Sequence, residues 1–317
     1  MYFPYFYGRQ NELLALRDVA TDLTDWSITP VIEPAMSNPR DLARCVQEVQ
    51  SGLYLVINPT RGQFGSGVPQ EWRQRIDAVL SDDDGVYPTH QVVSEADAAA
   101  LPGFLQQFNG RRVGVVLRQP HIAAENLGAL LDDRDAIVFV HTSASPRTYL
   151  QGLPARMCVE VAASFSEQAR NADYGAAEWF TSGHLEFAND GRPGFSDFGP
   201  LPTTFSLSGG RAGAVAIHLV YKVENGSLWI HHFVSDTTDR DEGDPASKVA
   251  EAVVKIAAEV GGNPEKFVDT AGLRTFLANR VLDLGTSKRQ QLVHHLASVA
   301  DVLPSKRGDG SQATDLD

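Results

Sequence analysis

The chain has 317 residues, 43% of them hydrophobic, with 27 basic against 40 acidic side chains and a formal net charge of −13. That length supports one large domain or two modest ones, and the acidic balance argues against direct nucleic-acid binding through phosphate neutralisation. Two cysteines, Cys45 and Cys158, with no paired-cysteine motif, exclude a disulfide framework and a cysteine-built structural zinc site. No apolar run is long enough to span a bilayer, and the aromatic N-terminus lacks the basic and apolar regions of a leader peptide. A cytoplasmic protein without membrane contact is expected.

Taken in order, residues 9–23 place Leu13, Leu16, Ala20 and Leu23 at helical spacing, and an apolar strand at 28–33 follows, stopped by Pro34. Asn38 and Pro39 open a second helix. A strand at 53–58 ends at Pro59, and the glycine-rich loop 61–67 leads into a helix at 69–80. A strand at 86–93 precedes Ser94 and Asp97, a capping pair for the next helix. Strands at 112–118, 136–141 and 156–164 alternate with helices from 122 and 145. Further strands are expected at 195–198 or 204–207, and at 214–221, the last turning through Glu224-Asn225-Gly226 into 228–234.

The strands are apolar throughout rather than alternating, as in parallel strands covered on both faces. Eight such units in about 250 residues predict a (β/α)8 barrel in the TIM-like class of α/β folds, with an open doubly wound sheet as the alternative. The barrel is expected over residues 1–262, a helical appendage over 263–304 and a disordered tail over 305–317.

Side chains alternate along a strand, so the strand ends can be sorted by parity. Glu33 follows Val31, Asn58 follows Val56, Arg118 follows Val116, His141 follows Phe139, and Ser164 follows Ala162. In a barrel these ends surround one mouth, where a site is expected. Arg118 needs a carboxylate partner there or an anionic ligand; Glu33, Glu160 and Asp197 are the candidates. Glu33, Asp197 and His141 are the candidate proton-transfer groups. The long segment 164–193 is expected as a lid carrying Arg170, Asn171, Asp173 and Tyr174, and His232 and Asp236 close the last strand as further ligand-binding candidates. No serine elbow or Walker loop is present; the Gly209-Gly210 pair reads as a flexible approach to the next strand, and no histidine spacing signals a metal. Nothing in the residues names a cofactor.

The opening Tyr2-Phe3-Pro4-Tyr5-Phe6-Tyr7-Gly8-Arg9, the Glu12-Leu13-Leu14 run, Val31-Ile32-Glu33-Pro34, the stretch 170–174, Ser196-Asp197-Phe198, the strand 214–221 and the stretch 232–236 together resemble the Beta protein family, named for a satellite-phage protein. The likeness covers the chain to about residue 245; the family's motif usually has a lysine or arginine before the Glu-Leu pair, a role Arg9 fills. The resemblance implies a component of a mobile-element or anti-phage defence module, encoded beside a toxic or nuclease-like neighbour. It supplies no catalytic residues. Two functions are therefore expected: a barrel that binds a partner protein or small anionic ligand and regulates that neighbour, or a hydrolase or lyase acting on a phosphorylated or nucleotide-like small molecule at the mouth.

Overall fold

The computed structural model describes residues 1–143, 145, 147–203, 205, 213–278 and 282–303. Seven parallel strands follow one another in sequence: β1 (Tyr5–Phe6), β2 (Val31–Ile32), β3 (Leu53–Val56), β4 (Val86–Val92), β5 (Val113–Leu117), β6 (Ala136–His141) and β7 (Cys158–Ala162). β8 (Ala177–Thr181) leaves this sheet, and β9 (Ser196–Asp197) returns to it as the eighth parallel strand. A parallel bridge between Tyr2 and Phe195, with the Phe3 N–H donating to the Phe195 carbonyl at 2.9 Å, links the last strand to the first. The result is a nearly closed (β/α)8 barrel, not an open doubly wound sheet.

Helices α1 (Gln10–Asp18), α2 (Arg40–Glu48), α3 (Gln70–Asp82), α4 (Glu95–Gln107), α5 (Ala124–Leu131) and the short α6 (Arg147–Gln151) fill the first six connections. Local signals set their starts. The Asn38 side chain accepts from the Arg40 N–H at 3.1 Å, and Ser94 accepts from the Asp97 N–H at 3.3 Å while its hydroxyl donates to the Asp97 carboxylate at 2.6 Å.

The barrel interior is aromatic: Phe3, Tyr5, Tyr7, Tyr54, Phe139 and Phe198 pack with Val31, Val56, Val116, Val159 and Val161. Such rings leave no space for a side chain at Gly114, where a Cβ would lie 2.5 Å from the Thr89 hydroxyl and 2.8 Å from the Tyr54 ring. The opposite strand faces meet the helices in a second, larger core.

Two expected barrel strands lie elsewhere. The segment read at 214–221 is β10 (Ala216–Lys222), which pairs antiparallel with β11 (Leu228–Val234), and β11 pairs with β8. The centre of this second sheet, at β10 and β11, is covered on both faces. Ile217, Leu219 and Phe233 pack on α8 (Pro245–Gly262) and α9 (Ala271–Ala278), whereas Phe180, Val220, Leu228 and Ile230 join the outer core of the barrel. An uninterrupted apolar run looks the same in either setting. The true first strand is the N-terminal Tyr5–Phe6, too short to register as a run.

The segment expected as a lid over the mouth instead supplies β8 and α7 (Gly183–Glu186). Gly183 sits under Phe195, just before β9, and the His184 ring bonds the Gly226 carbonyl in the hairpin turn at 2.9 Å. The C-terminal helices are present: α10 (Leu284–Val302) packs along α1, and its Leu292, Val293, Leu296 and Val299 belong to the barrel's outer core. The alternative strand at 204–207, Phe205 apart, the Gly209-Gly210 pair and the 305–317 tail lie outside the described residues. Among the described residues, no helix is long and apolar enough to cross a membrane.

Candidate functional site

The mouth at the C-terminal strand ends is built on Glu33. Its parity follows Val31, so the carboxylate points into the barrel end and is fully buried. Two arginines converge on it. The Arg118 guanidinium pairs with Oε2, and Arg61 Nε lies 3.6 Å from Oε1. The Tyr5 hydroxyl donates to Oε2 at 2.9 Å and accepts from Arg118 at 3.3 Å. Both guanidiniums also lie over aromatic faces, Arg118 over Tyr5 at 5.5 Å and Arg61 over Tyr7 at 5.5 Å. Gly62 makes the Arg61 turn possible: its φ is +60°, and a side chain there would collide with the Ala35 carbonyl.

The electrostatics follow from this packing. Burial works against the Arg118 charge, but Tyr5, Glu33 and Tyr7 beside it raise its pKa on balance. Burial first, and Glu33 second, push the Tyr5 hydroxyl well above its usual range, so it stays a donor. His141 is buried edge-on to Tyr5, with ring centroids 4.9 Å apart. Burial, reinforced by Arg118 and Arg61, holds its pKa well below the ordinary histidine value, so the ring is neutral at physiological pH. Among the described residues, its Nε2 has no hydrogen-bond partner. Arg61, Arg118, His141, Thr60, Gln119 and Ser143 line a cavity of about 390 Å³. Two permanent cations against one carboxylate leave the mouth with excess positive charge, and a neutral imidazole and two hydroxyls add hydrogen-bonding groups.

The parity reading places Glu33, Arg118 and His141 together in this mouth. Asn58 shares the strand end and is bonded to β4: its amide donates to the Gln91 carbonyl at 2.9 Å and accepts from the Gln91 N–H at 2.8 Å, tying β3 to β4. Ser164 follows Glu160 and Ala162 on the outer face of β7, because Val159 and Val161 are the inward pair. Glu160 there pairs with Arg192 at 3.1 Å.

Asp197 does not face the mouth. Just past β9 the inward residue is Phe198, and Asp197 turns to the helix layer. There it accepts from the Tyr2 hydroxyl at 2.6 Å and the Gly199 N–H at 2.8 Å, with His295 of α10 at 3.7 Å. The Tyr2 proton goes to Asp197, so His295 Nε2, 2.8 Å from the same hydroxyl, is the donor in that contact.

The remaining candidates belong to the small sheet. Tyr174 stacks on His232 at 4.8 Å and meets His218 edge-on at 4.7 Å. His218 and His232 face each other across β10 and β11 and share a proton between Nδ1 atoms 2.7 Å apart. Burial first, then each ring's neighbouring histidine, lowers their pKa values to about 3 and about 4. Asn171 anchors this loop by donating to the Ala214 carbonyl at 2.8 Å. Arg170 and Asp173 pair with each other in solvent, and Asp236 pairs with Lys255 at 2.7 Å. Each of these four polar groups is thus accounted for by a local structural bond.

Tyr5, Tyr7 and Arg61 are the site residues that reading by strand ends missed. The alternation of Phe3, Tyr5 and Tyr7 is the signal that was present, hidden because their strand is two residues long. Among the described residues, no group of three or more histidine, cysteine or carboxylate side chains stands close enough together to hold a metal ion. Comparison with known proteins gives no matching family model, no matching curated protein and no matching solved structure.

Proposed function

We propose that this barrel binds a small anionic molecule, a carboxylate or phosphate ester, at its mouth, and that it serves as the regulatory component of a mobile-element or defence module, restraining a toxic or nuclease-like neighbour through a protein contact in the cytoplasm. The observation that carries the ligand reading is the convergence of Arg118 and Arg61 on a single buried carboxylate beside an unpartnered, neutral His141. Guanidiniums in excess of carboxylates are suited to an oxyanion. The regulatory part is supported by the resemblance of the N-terminal, 196–198 and 232–236 motifs to the Beta protein family; the barrel itself hosts too many functions to choose between them.

One observation favours the enzymatic alternative. Glu33 and His141 flank the arginine pair at the same mouth, which would let a hydrolase or lyase hold a phosphoryl group and move a proton beside it.

The test is calorimetric titration of the purified protein with inorganic phosphate. Arg61 is a third exposed and its removal leaves the Glu33–Arg118 pair intact, so Arg61→Met is expected to weaken phosphate binding by about tenfold or more while the fold persists. Equal binding by both proteins overturns the mouth as the anion site. In the same preparation, release of phosphate from p-nitrophenyl phosphate that His141→Gln abolishes would favour the enzyme; no release would count against it.

A further inference from the structure

Among the described residues, β8 is an edge strand. The His232 N–H donates to the Ala176 carbonyl at 2.9 Å, and pairing continues with His231 opposite Ala177 and Ile230 opposite Glu178. In an antiparallel ladder, successive residues point their backbone groups alternately toward and away from the partner. Ala176 and Glu178 therefore bond to β11, and the N–H and C=O groups of Ala177 and Trp179 point outward from the sheet. The order of described strands in this sheet ends at β8. Native edges are commonly blunted by lysine, proline or a covering element; β8 instead carries Ala177 and a Trp179 side chain that is 52% exposed.

This edge does not face open solvent alone. Trp179 and Thr181 form one wall of a groove of about 140 Å³ whose other wall is Glu160, Ala162 and Ser164 on the outer face of β7. Conventional barrel packing would place a helix against that face; here its side chains are polar or small. Glu160, Glu186 and Asp190 outnumber Arg147 and Arg192 in the lining, and Arg192 is shared by Glu160 at 3.1 Å and Asp190 at 3.3 Å. The groove is therefore acidic, on a chain of net charge −13.

We infer that this groove docks an extended, lysine- or arginine-bearing segment of a partner protein, which adds to β8 as a fourth strand of the small sheet. Backbone bonds to Ala177 and Trp179 supply the pairing, the Trp179 ring covers one apolar side chain, and the groove carboxylates select the basic ones. The inference rests on the proposed reading for the existence of a protein partner, and adds where that partner binds.

The probe is a labelled ten-residue peptide of alternating lysine and valine, followed by fluorescence anisotropy, with a glutamate–valine peptide as its counterpart. The wild type is expected to bind the lysine peptide saturably and the glutamate peptide at least about tenfold more weakly. Ala177→Pro removes an outward N–H while leaving the β11 bonds and the charge unchanged, and is expected to weaken binding by about tenfold. Glu186→Lys should weaken it too, and Arg61→Met at the mouth should not. Hydrogen exchange of the wild type supplies a reading that needs no variant: the Ala177 and Trp179 amides should gain protection when the peptide is added. Binding that Ala177→Pro leaves unchanged, unprotected amides, or equal affinity for both peptides overturns the proposal, as does a dimer of this chain that Ala177→Pro dissolves. Phosphate binding at the mouth would survive each of those failures.

Discussion

At the scale of single residues, the mouth is an exercise in burying charge. Glu33 has no exposure, and such a group is tolerated only with partners; Arg118 and the Tyr5 hydroxyl supply them. Breaking a buried pair from one side strands the other charge, so Arg118→Met is expected to destabilise the fold by about 3–5 kcal/mol. Replacing both, as Glu33→Met with Arg118→Met, should recover most of that loss, because the combined desolvation cost disappears. Urea denaturation of the wild type, the single variant and the double variant checks this. A double variant no more stable than the single one would show that Tyr5 and Arg61 depend on the carboxylate for their own placement. The two cysteines sit at the opposite extreme of involvement. Both are buried and free, with burial pushing each thiol up to about 12, so they pack as small apolar groups and are protonated at neutral pH.

At the scale of elements, α10 solves the problem that β10 poses. β10 lies at the other edge of the small sheet, and its outward backbone groups are buried under a helix. The Gln291 side chain accepts from the His218 N–H at 2.7 Å, and His294 Nε2 donates to the Val220 carbonyl at 2.9 Å. The carbonyl can only accept, so the proton sits on Nε2 and the Thr270 hydroxyl donates to Nδ1 at 2.8 Å. Two helix side chains thus finish a strand ladder. Gln291→Leu keeps the bulk and removes the acceptor; leaving that N–H buried and unpaired is expected to cost about 1–3 kcal/mol in urea denaturation. An unchanged midpoint would mean that α10 shifts to admit water.

The contrast between the two edges is also what the sequence could not express. Glutamine and histidine within an amphipathic helix read as polar decoration, because the strand they complete is more than seventy residues away. The small sheet as a whole was legible only as strands. Its hairpin turn at Asn225-Gly226 was signalled by local chemistry, with Gly226 at φ +84° and the Val223 N–H bonded to the Ser227 carbonyl. Its partner β8 was not, since Ala177–Thr181 is half exposed and mixes glutamate with aromatics.

At the scale of the whole molecule, buried neutral histidines make stability depend on pH. His218, His232 and His294 have pKa values of about 3, about 4 and about 4, and His141 lies well below 6.5, in each case with burial as the largest cause. Their folded pKa values are depressed, so above about pH 6.5 both folded and unfolded chains hold them neutral and their contribution is complete. As pH falls below that, the unfolded chain takes up protons that the folded chain refuses. Each such histidine then costs up to about 1.4 kcal/mol per pH unit until its folded pKa is reached. The melting temperature is expected to drop steadily between pH 7 and pH 5, well before most carboxylates titrate; a flat profile over that window in thermal scans would contradict the burial assigned to these rings.

The sequence by itself determined the barrel class, the order and type of most elements, and three members of the mouth: Glu33, Arg118 and His141. Each rests on information local to one strand, the apolar run and the alternation of side chains about it, and that alternation survives whatever the strand packs against. Tertiary structure alone decided which runs close the barrel, because a two-residue strand at Tyr5–Phe6 and a fully covered antiparallel strand at Ala216–Lys222 invert the expected signals. It also decided that Asp197 serves Tyr2 in the outer core while Arg61 and Tyr5 serve Glu33. Such partnerships join residues from separate connections, and they depend on where closure of the barrel brings the chain back upon itself.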